Sequence, residues 1–130
     1  MKPHSKTAFT LVEIMIVIAI IMLLASVAIP SYIRARKRTQ ATRILEDMRL
    51  LDGAIEHYAI ENNKGGGTSL TFADLKNYIK TGTYLYSGSG VDLFGNNYGP
   101  FTVDAIPRVN PATVSILSDV IDTSFWSPYQ

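Results

Sequence analysis

The sequence predicts an α+β protein: a long N-terminal α-helix, apolar in its first half, with a small antiparallel β-sheet domain packed on its second half. Three observations predict it. Phe9 to Ile29 is 21 residues long, and all but Thr10, Glu13 and Ser26 are apolar. Ala41, Ile44, Met48, Leu51, Ile55 and Tyr58 then recur at steps of three and four, an amphipathic helical stripe. Beyond Asn62, prolines and glycines cut the chain into short runs, several of them β-branched or aromatic. The predicted organisation is a short N-terminal segment over residues 1–8, a membrane span over 9–29, an amphipathic continuation of the helix over 30–62 and a small domain over 63–130.

The span comes first. A 21-residue helix reaches about 31 Å, enough to cross a hydrocarbon core. The run could be a secretory signal cut after Ser26-Val27-Ala28, although such apolar regions usually hold about 7–15 residues. It could be a plain single-pass anchor. Alternatively, Glu13 has a specific task. An ionised carboxylate at depth costs at least about 2.5 kcal/mol unless paired or protonated. It would then lie shallow, near the headgroups, or have a cationic partner. The flanking charges are Lys2, Lys6 and the initial amine on one side, and Arg34, Arg36, Lys37 and Arg38 on the other. By the positive-inside rule they favour a cytoplasmic C-terminus.

The helix continues past the span. Pro30 lacks a donor N–H and is expected to kink or locally unwind it. Gly53 weakens it mildly. Unbroken from Phe9 to Asn62, it would be roughly 80 Å long. The stripe reads as a seam that holds the small domain, since under three heptads make a poor coiled coil. Glu46, Asp47, Arg49, Asp52, Glu56 and Glu61 are expected on other faces. Arg34 to Arg43 holds five basic residues and no acid. It reads as an interfacial anchor. Without interleaved aromatics it lacks the stacking signature of a single-strand binder, so nucleic acid is not an expected partner.

The small domain opens after the turn formers Asn62 to Gly67. Thr71-Phe72-Ala73-Asp74 predicts a capped short helix with Phe72, Leu75 and Ile79 inward. Tyr84-Leu85-Tyr86, Phe101-Thr102-Val103 and Thr113-Val114-Ser115-Ile116 read as strands. Ten of the thirteen aromatics lie between Phe72 and Tyr129, as core and surface-contact residues rather than a ligand cage.

Chemistry is sparse. With no cysteine there is no disulfide, thiol nucleophile or Cys-based zinc site. His57 is the only histidine beyond residue 8 and reads as a surface residue. Gly65-Gly66-Gly67 follows a helix and lacks the Lys-Ser/Thr of a phosphate loop. No enzyme activity and no cofactor are expected.

Two segments carry a family resemblance. Lys6-Thr7-Ala8-Phe9-Thr10-Leu11-Val12-Glu13 resembles the processing site of type IV prepilins and pseudopilins, and Ala28-Ile29-Pro30-Ser31-Tyr32 is similar to the same family's helix. The resemblance implies a prepilin peptidase cut between Ala8 and Phe9 and N-methylation of the new Phe9 amine. It also implies a Glu13 that neutralises the Phe9 amine of a neighbouring subunit during assembly. An intramolecular pair from Phe9 to Glu13 is also possible. The family has glycine before the cut, where this chain has the comparably small Ala8. It also implies a C-terminal domain on the periplasmic side of a bacterial inner membrane, against the charge rule.

Asp92-Leu93-Phe94-Gly95-Asn96-Asn97-Tyr98-Gly99 is similar to the Asp-Pro-Trp-Gly-Asn-Pro-Tyr segment of major pseudopilins of type II secretion. Those proteins imply a calcium site in a C-terminal loop, for which Asp104, Asp119 and Asp122 are the acids at hand, without EF-hand spacing. Solvated loop acids are the plainer reading.

The implied function is a pseudopilin that polymerises for protein export. Its partners would be itself, the prepilin peptidase/methylase, an inner-membrane assembly platform, other pseudopilins, and membrane lipid before assembly. Alternatives are a pilus subunit for adhesion, motility or DNA uptake, and a membrane-anchored binding module that does not polymerise.

Overall fold

A computed structural model describes residues 7–130. Of the predicted leader, residues 1–6, with Lys2 and Lys6, lie outside the described residues. The chain divides into two compact units, one ending at Arg36 and the other running from Lys37 to Gln130.

Helix α1 spans Leu11–Glu61. Its first portion, up to Arg36, belongs to the first unit. This is the one helix among the described residues that is long and apolar enough to cross a membrane, and its most apolar window is wholly uncovered in the subunit. Pro30 sits inside the helix. Helical structure runs through it without a break, so the expected local unwinding does not occur. One missing N–H removes one bond, and the flanking turns keep theirs.

The second unit is built on residues 37–61 of α1. After a turn, β1 (Ser69–Leu70) leads into α2 (Phe72–Leu75), a 3₁₀ turn (Lys76–Tyr78) and α3 (Tyr84–Ser87). Strand β2 (Phe101–Thr102), helix α4 (Pro111–Leu117) and a final 3₁₀ turn (Thr123–Trp126) complete the order. The sheet is minimal: β1 and β2 pair antiparallel, Ser69 opposite Thr102 and Leu70 opposite Phe101.

The predicted stripe is the core. Ala41, Ile44, Met48, Leu51 and Ile55 are buried, with Leu75, Leu85, Leu117 and Trp126 among the side chains packed with them in one cluster. Tyr58 is half-buried against that cluster. Leu75 and Ile79 point inward as expected, and Phe72 packs at the margin. The cap at α2 also forms: the Thr71 N–H and Oγ1 both donate to Asp74 Oδ2, at 2.9 and 2.6 Å.

Three expectations need correction. Tyr84-Leu85-Tyr86 is helical, because Thr83 caps it: its Oγ1 accepts from the Tyr86 N–H at 3.2 Å. Thr113 to Ile116 is helical too. Asn110 accepts from the Ala112 N–H at 3.0 Å and Pro111 occupies the first turn. Such a start outweighs the β preference of Thr, Val and Ile. Asp47, placed on an outer face by the sequence reading, is only 6% exposed. Phe101-Thr102 is a strand as expected, while Val103 just beyond it is a buried core residue.

Candidate assembly site

The start of α1 is built by two side chains three residues apart. The Thr10 N–H donates to Glu13 Oε2 at 2.8 Å, and the Glu13 N–H donates to Thr10 Oγ1 at 3.3 Å. This is a reciprocal capping box, which satisfies one orphan amide and the amide of the capping residue. The Thr-x-x-Glu spacing was the signal for it, and the sequence reading, drawn to the charge of Glu13, passed over that local role. A carboxylate has about four lone-pair positions, so the cap leaves Glu13 room for a further cationic donor.

Ala8 and Phe9 precede the helix in irregular backbone, and both are exposed, Phe9 to 84%. An exposed, non-helical peptide bond is what a peptidase can reach. Thr7, Ala8, Phe9 and Glu13 line one open recess. The structure therefore brings together Ala8, Phe9 and Glu13, and leaves Pro30 further along the same helix.

The Asp92–Gly99 segment forms a second polar construction. Asp92 is 1% exposed. Its Oδ1 accepts from the Phe94 N–H at 2.8 Å and the Asn96 N–H at 2.9 Å, and its Oδ2 accepts from the Thr113 hydroxyl of α4. Asn96 Nδ2 donates to the same Thr113 oxygen at 2.9 Å. Gly95 takes a left-handed φ of 82°, which lets the loop turn back on the carboxylate. Tyr98 then reaches α1, its hydroxyl donating to Asp47 Oδ2 at 3.1 Å. Burial pushes the Asp47 carboxyl above its ordinary range, against the bond from Tyr98, and burial together with the Asp47 charge raises the Tyr98 phenol. The segment thus pins its loop to two helices.

Each of the three acids considered for calcium has its own local setting. Asp119 accepts from Lys37 Nζ at 2.7 and 2.8 Å. Asp122 precedes the final 3₁₀ turn and accepts from Thr123 Oγ1 at 3.2 Å. Asp104 takes a left-handed φ of 62°. Among the described residues no three His, Cys, Asp or Glu side chains gather closely enough to hold a metal ion. His57 is exposed. Arg43, in the basic run, stacks over Tyr84 at 5.0 Å from the ring centre.

Residues 3–29 match a family described as "Prokaryotic N-terminal methylation motif". The chain is 34% identical over 123 residues to "Fimbrial protein" of Pseudomonas aeruginosa, covering 92% of this chain and 78% of that protein. It is 34% identical over 56 residues to "Type II secretion system core protein G" of Klebsiella pneumoniae, 43% of this chain and 40% of the relative. It is 40% identical over 58 residues to "Type IV major fimbrial protein FimA" of Dichelobacter nodosus, 45% and 37% of the two chains. No solved structure matches the chain.

Proposed function

The chain belongs to the type IV pilin-like family, and on that premise we propose that it is a fibre subunit that polymerises through α1. The observation that carries this is the uncovered apolar helix with an acid at its head. Such a helix is soluble only in lipid or among copies of itself, because exposed apolar surface of this extent drives association in water. In lipid, Glu13 remains near the headgroup region as part of its cap. Among copies, its charge is tolerable only when paired, and the Phe9 amine released by the cut is the matching cation. The subunit would be held in the bacterial inner membrane with residues beyond the span on the periplasmic side. Its partners would be a prepilin peptidase/methylase, an assembly platform and related subunits.

Two finer readings divide the family. A secretion pseudopilin is supported by the Asp92-to-Tyr98 segment and by the absence of cysteine. A type IV pilus subunit is supported by the alignment with a fimbrial protein over nearly the whole chain, whereas the secretion relatives align over less than half.

Two experiments in the native host address the two levels. Mass spectrometry of the recovered protein is expected to give a chain beginning with N-methylated Phe9. An intact Met1 or a cut after Ala28 overturns the fibre reading. Loss of an exported protein on disruption of the gene favours the pseudopilin, and loss of surface fibres the pilus.

A further inference from the structure

We propose that Arg38 and Arg43, on one face of α1, form a phosphate site that takes the headgroup of an anionic phospholipid from the leaflet at which the apolar span ends. This rests on the reading of the chain as a subunit held in a membrane before assembly, and it adds a lipid preference to that reading.

Arg38, Thr39, Thr42, Arg43 and Glu46 follow at steps of one, three, one and three, so they share a helix face. All five are exposed, and together they line one open recess of about 560 Å³. Two guanidinium groups supply its donors. Lys37 is committed to Asp119 at 2.7 Å, whereas Arg38 and Arg43 make no ion pair among the described residues. The Arg43 guanidinium lies over the Tyr84 ring, 5.0 Å from its centre. A guanidinium held by its face keeps its edge N–H groups for an acceptor, and that planar fork matches phosphate oxygens. The Thr42 hydroxyl already donates to the Arg38 carbonyl at 3.1 Å, so the arginines carry the recognition. Glu46 is the one acid of the recess and stands at its C-terminal end.

Position selects the source of the phosphate. Nine residues, about 13 Å of helix, separate Arg38 from Ile29 at the end of the apolar run. The polar layer of a bilayer adds roughly 5–8 Å beyond the hydrocarbon on each side. Helical side chains lean toward the N-terminus, here toward the span, and an arginine stem covers the remaining gap while its head stays in polar surroundings. Charge runs the same way. Residues 34–43 hold five bases and no acid, and residues 46–61 hold five acids and one base. An anionic surface attracts the near end and repels the far end, and it does so within a Debye length of about 8 Å. A free phosphate ion gains nothing from this placement. With the domain on the periplasmic side, the positive-inside rule leaves these bases unexplained. Lipid phosphate gives them a task.

Native mass spectrometry of the full chain in detergent tests this, with phosphatidylglycerol and phosphatidylcholine offered in equal amounts. The choline ammonium offsets its own phosphate, so the unaltered chain should retain the anionic lipid about tenfold over the neutral one. Arg38→Gln, at an exposed position with no ion pair to lose, should bring the ratio close to one with helix content unchanged. Arg38→Lys keeps the charge and loses the fork, and should fall between the two. A lysine variant equal to the unaltered chain would mean diffuse charge and overturn the site. Inorganic phosphate in excess should leave the lipid bound, and displacement of the lipid would assign the site to a free ion and overturn the lipid source. Equal retention of both lipids, an unchanged ratio in Arg38→Gln, or capture of an added single-stranded oligonucleotide in place of lipid overturns the proposal. The membrane reading fails separately, if the chain does not enter vesicles of either lipid.

Discussion

Two carboxylates of the second unit respond to pH in opposite directions. Burial raises the folded-state pKa of Asp47 above its ordinary 3.8, so the folded chain holds that proton more tightly than the unfolded chain. Its stabilising contribution is present at acid pH and is lost as pH rises from about 4 through the raised value. The hydroxyl and amide of Thr71 hold Asp74 below 3.8, so its contribution is present above that value and is lost as pH falls through the lowered one. Urea unfolding from pH 3 to 7 should therefore separate them. Asp47→Asn, which can still accept from Tyr98, is expected to be at least as stable as the parent at pH 7 and to flatten the decline with rising pH. Asp74→Asn is expected to weaken the protein near neutrality and to flatten the acid limb. Equal pH slopes in all three proteins would contradict both assignments. Asp74 was legible from its three-residue spacing to Thr71. Asp47 was not, because its partner Tyr98 is 51 residues away and only the fold brings the two together.

Among the elements, local chemistry decided more than side-chain preference. Helix α4 exists because Asn110 and Pro111 start it, although Thr113, Val114 and Ile116 favour strands. Asn110→Ala should cost about 1 kcal/mol in chemical denaturation. The cost should rise if the Thr113 hydroxyl then leaves Asp92 Oδ2, because an unsatisfied buried acceptor adds about 1–3 kcal/mol. A loss near zero would mean that packing of Leu117 alone holds the helix. Asn-Pro and Thr before a short apolar run were readable as helix starts. The reading failed where it weighed β-branching over the cap, and a three- or four-residue window cannot separate period two from period 3.6. Helix α1 was legible in its extent and its buried stripe, since its pattern repeats over many turns, but not in its unbroken passage through Pro30 or the burial of Asp47.

For the whole molecule, the question is whether Glu13 acts through its hydrogen bonds or its charge. Glutamine also completes a capping box with Thr10, so Glu13→Gln keeps the helix start and removes the charge. If pairing with a neighbouring Phe9 amine drives assembly, sheared fibres should be lost from Glu13→Gln as fully as from Glu13→Ala. Membrane insertion and helix content should be retained in both. Normal fibres from Glu13→Gln with none from Glu13→Ala would assign the cap as the essential role. A membrane-anchored module that does not polymerise would be indifferent to either change.

The amino-acid sequence by itself determined the features that depend on neighbours along the chain: the apolar span, the amphipathic stripe, the caps and the processing motif. Each is written in short-range spacing, and the physics that reads it is local hydrogen bonding and helical period. Tertiary structure alone decided which polar groups go inside. Asp92 serves Thr113 across 21 residues and Asp47 serves Tyr98 across 51. A carboxylate is tolerable in the interior only when donors converge on it; Asp92 has local ones in the Phe94 and Asn96 amides, but Thr113 and, for Asp47, Tyr98 arrive only where the chain folds back. The same folding back left Leu50, Gly53 and Ile60 facing outward.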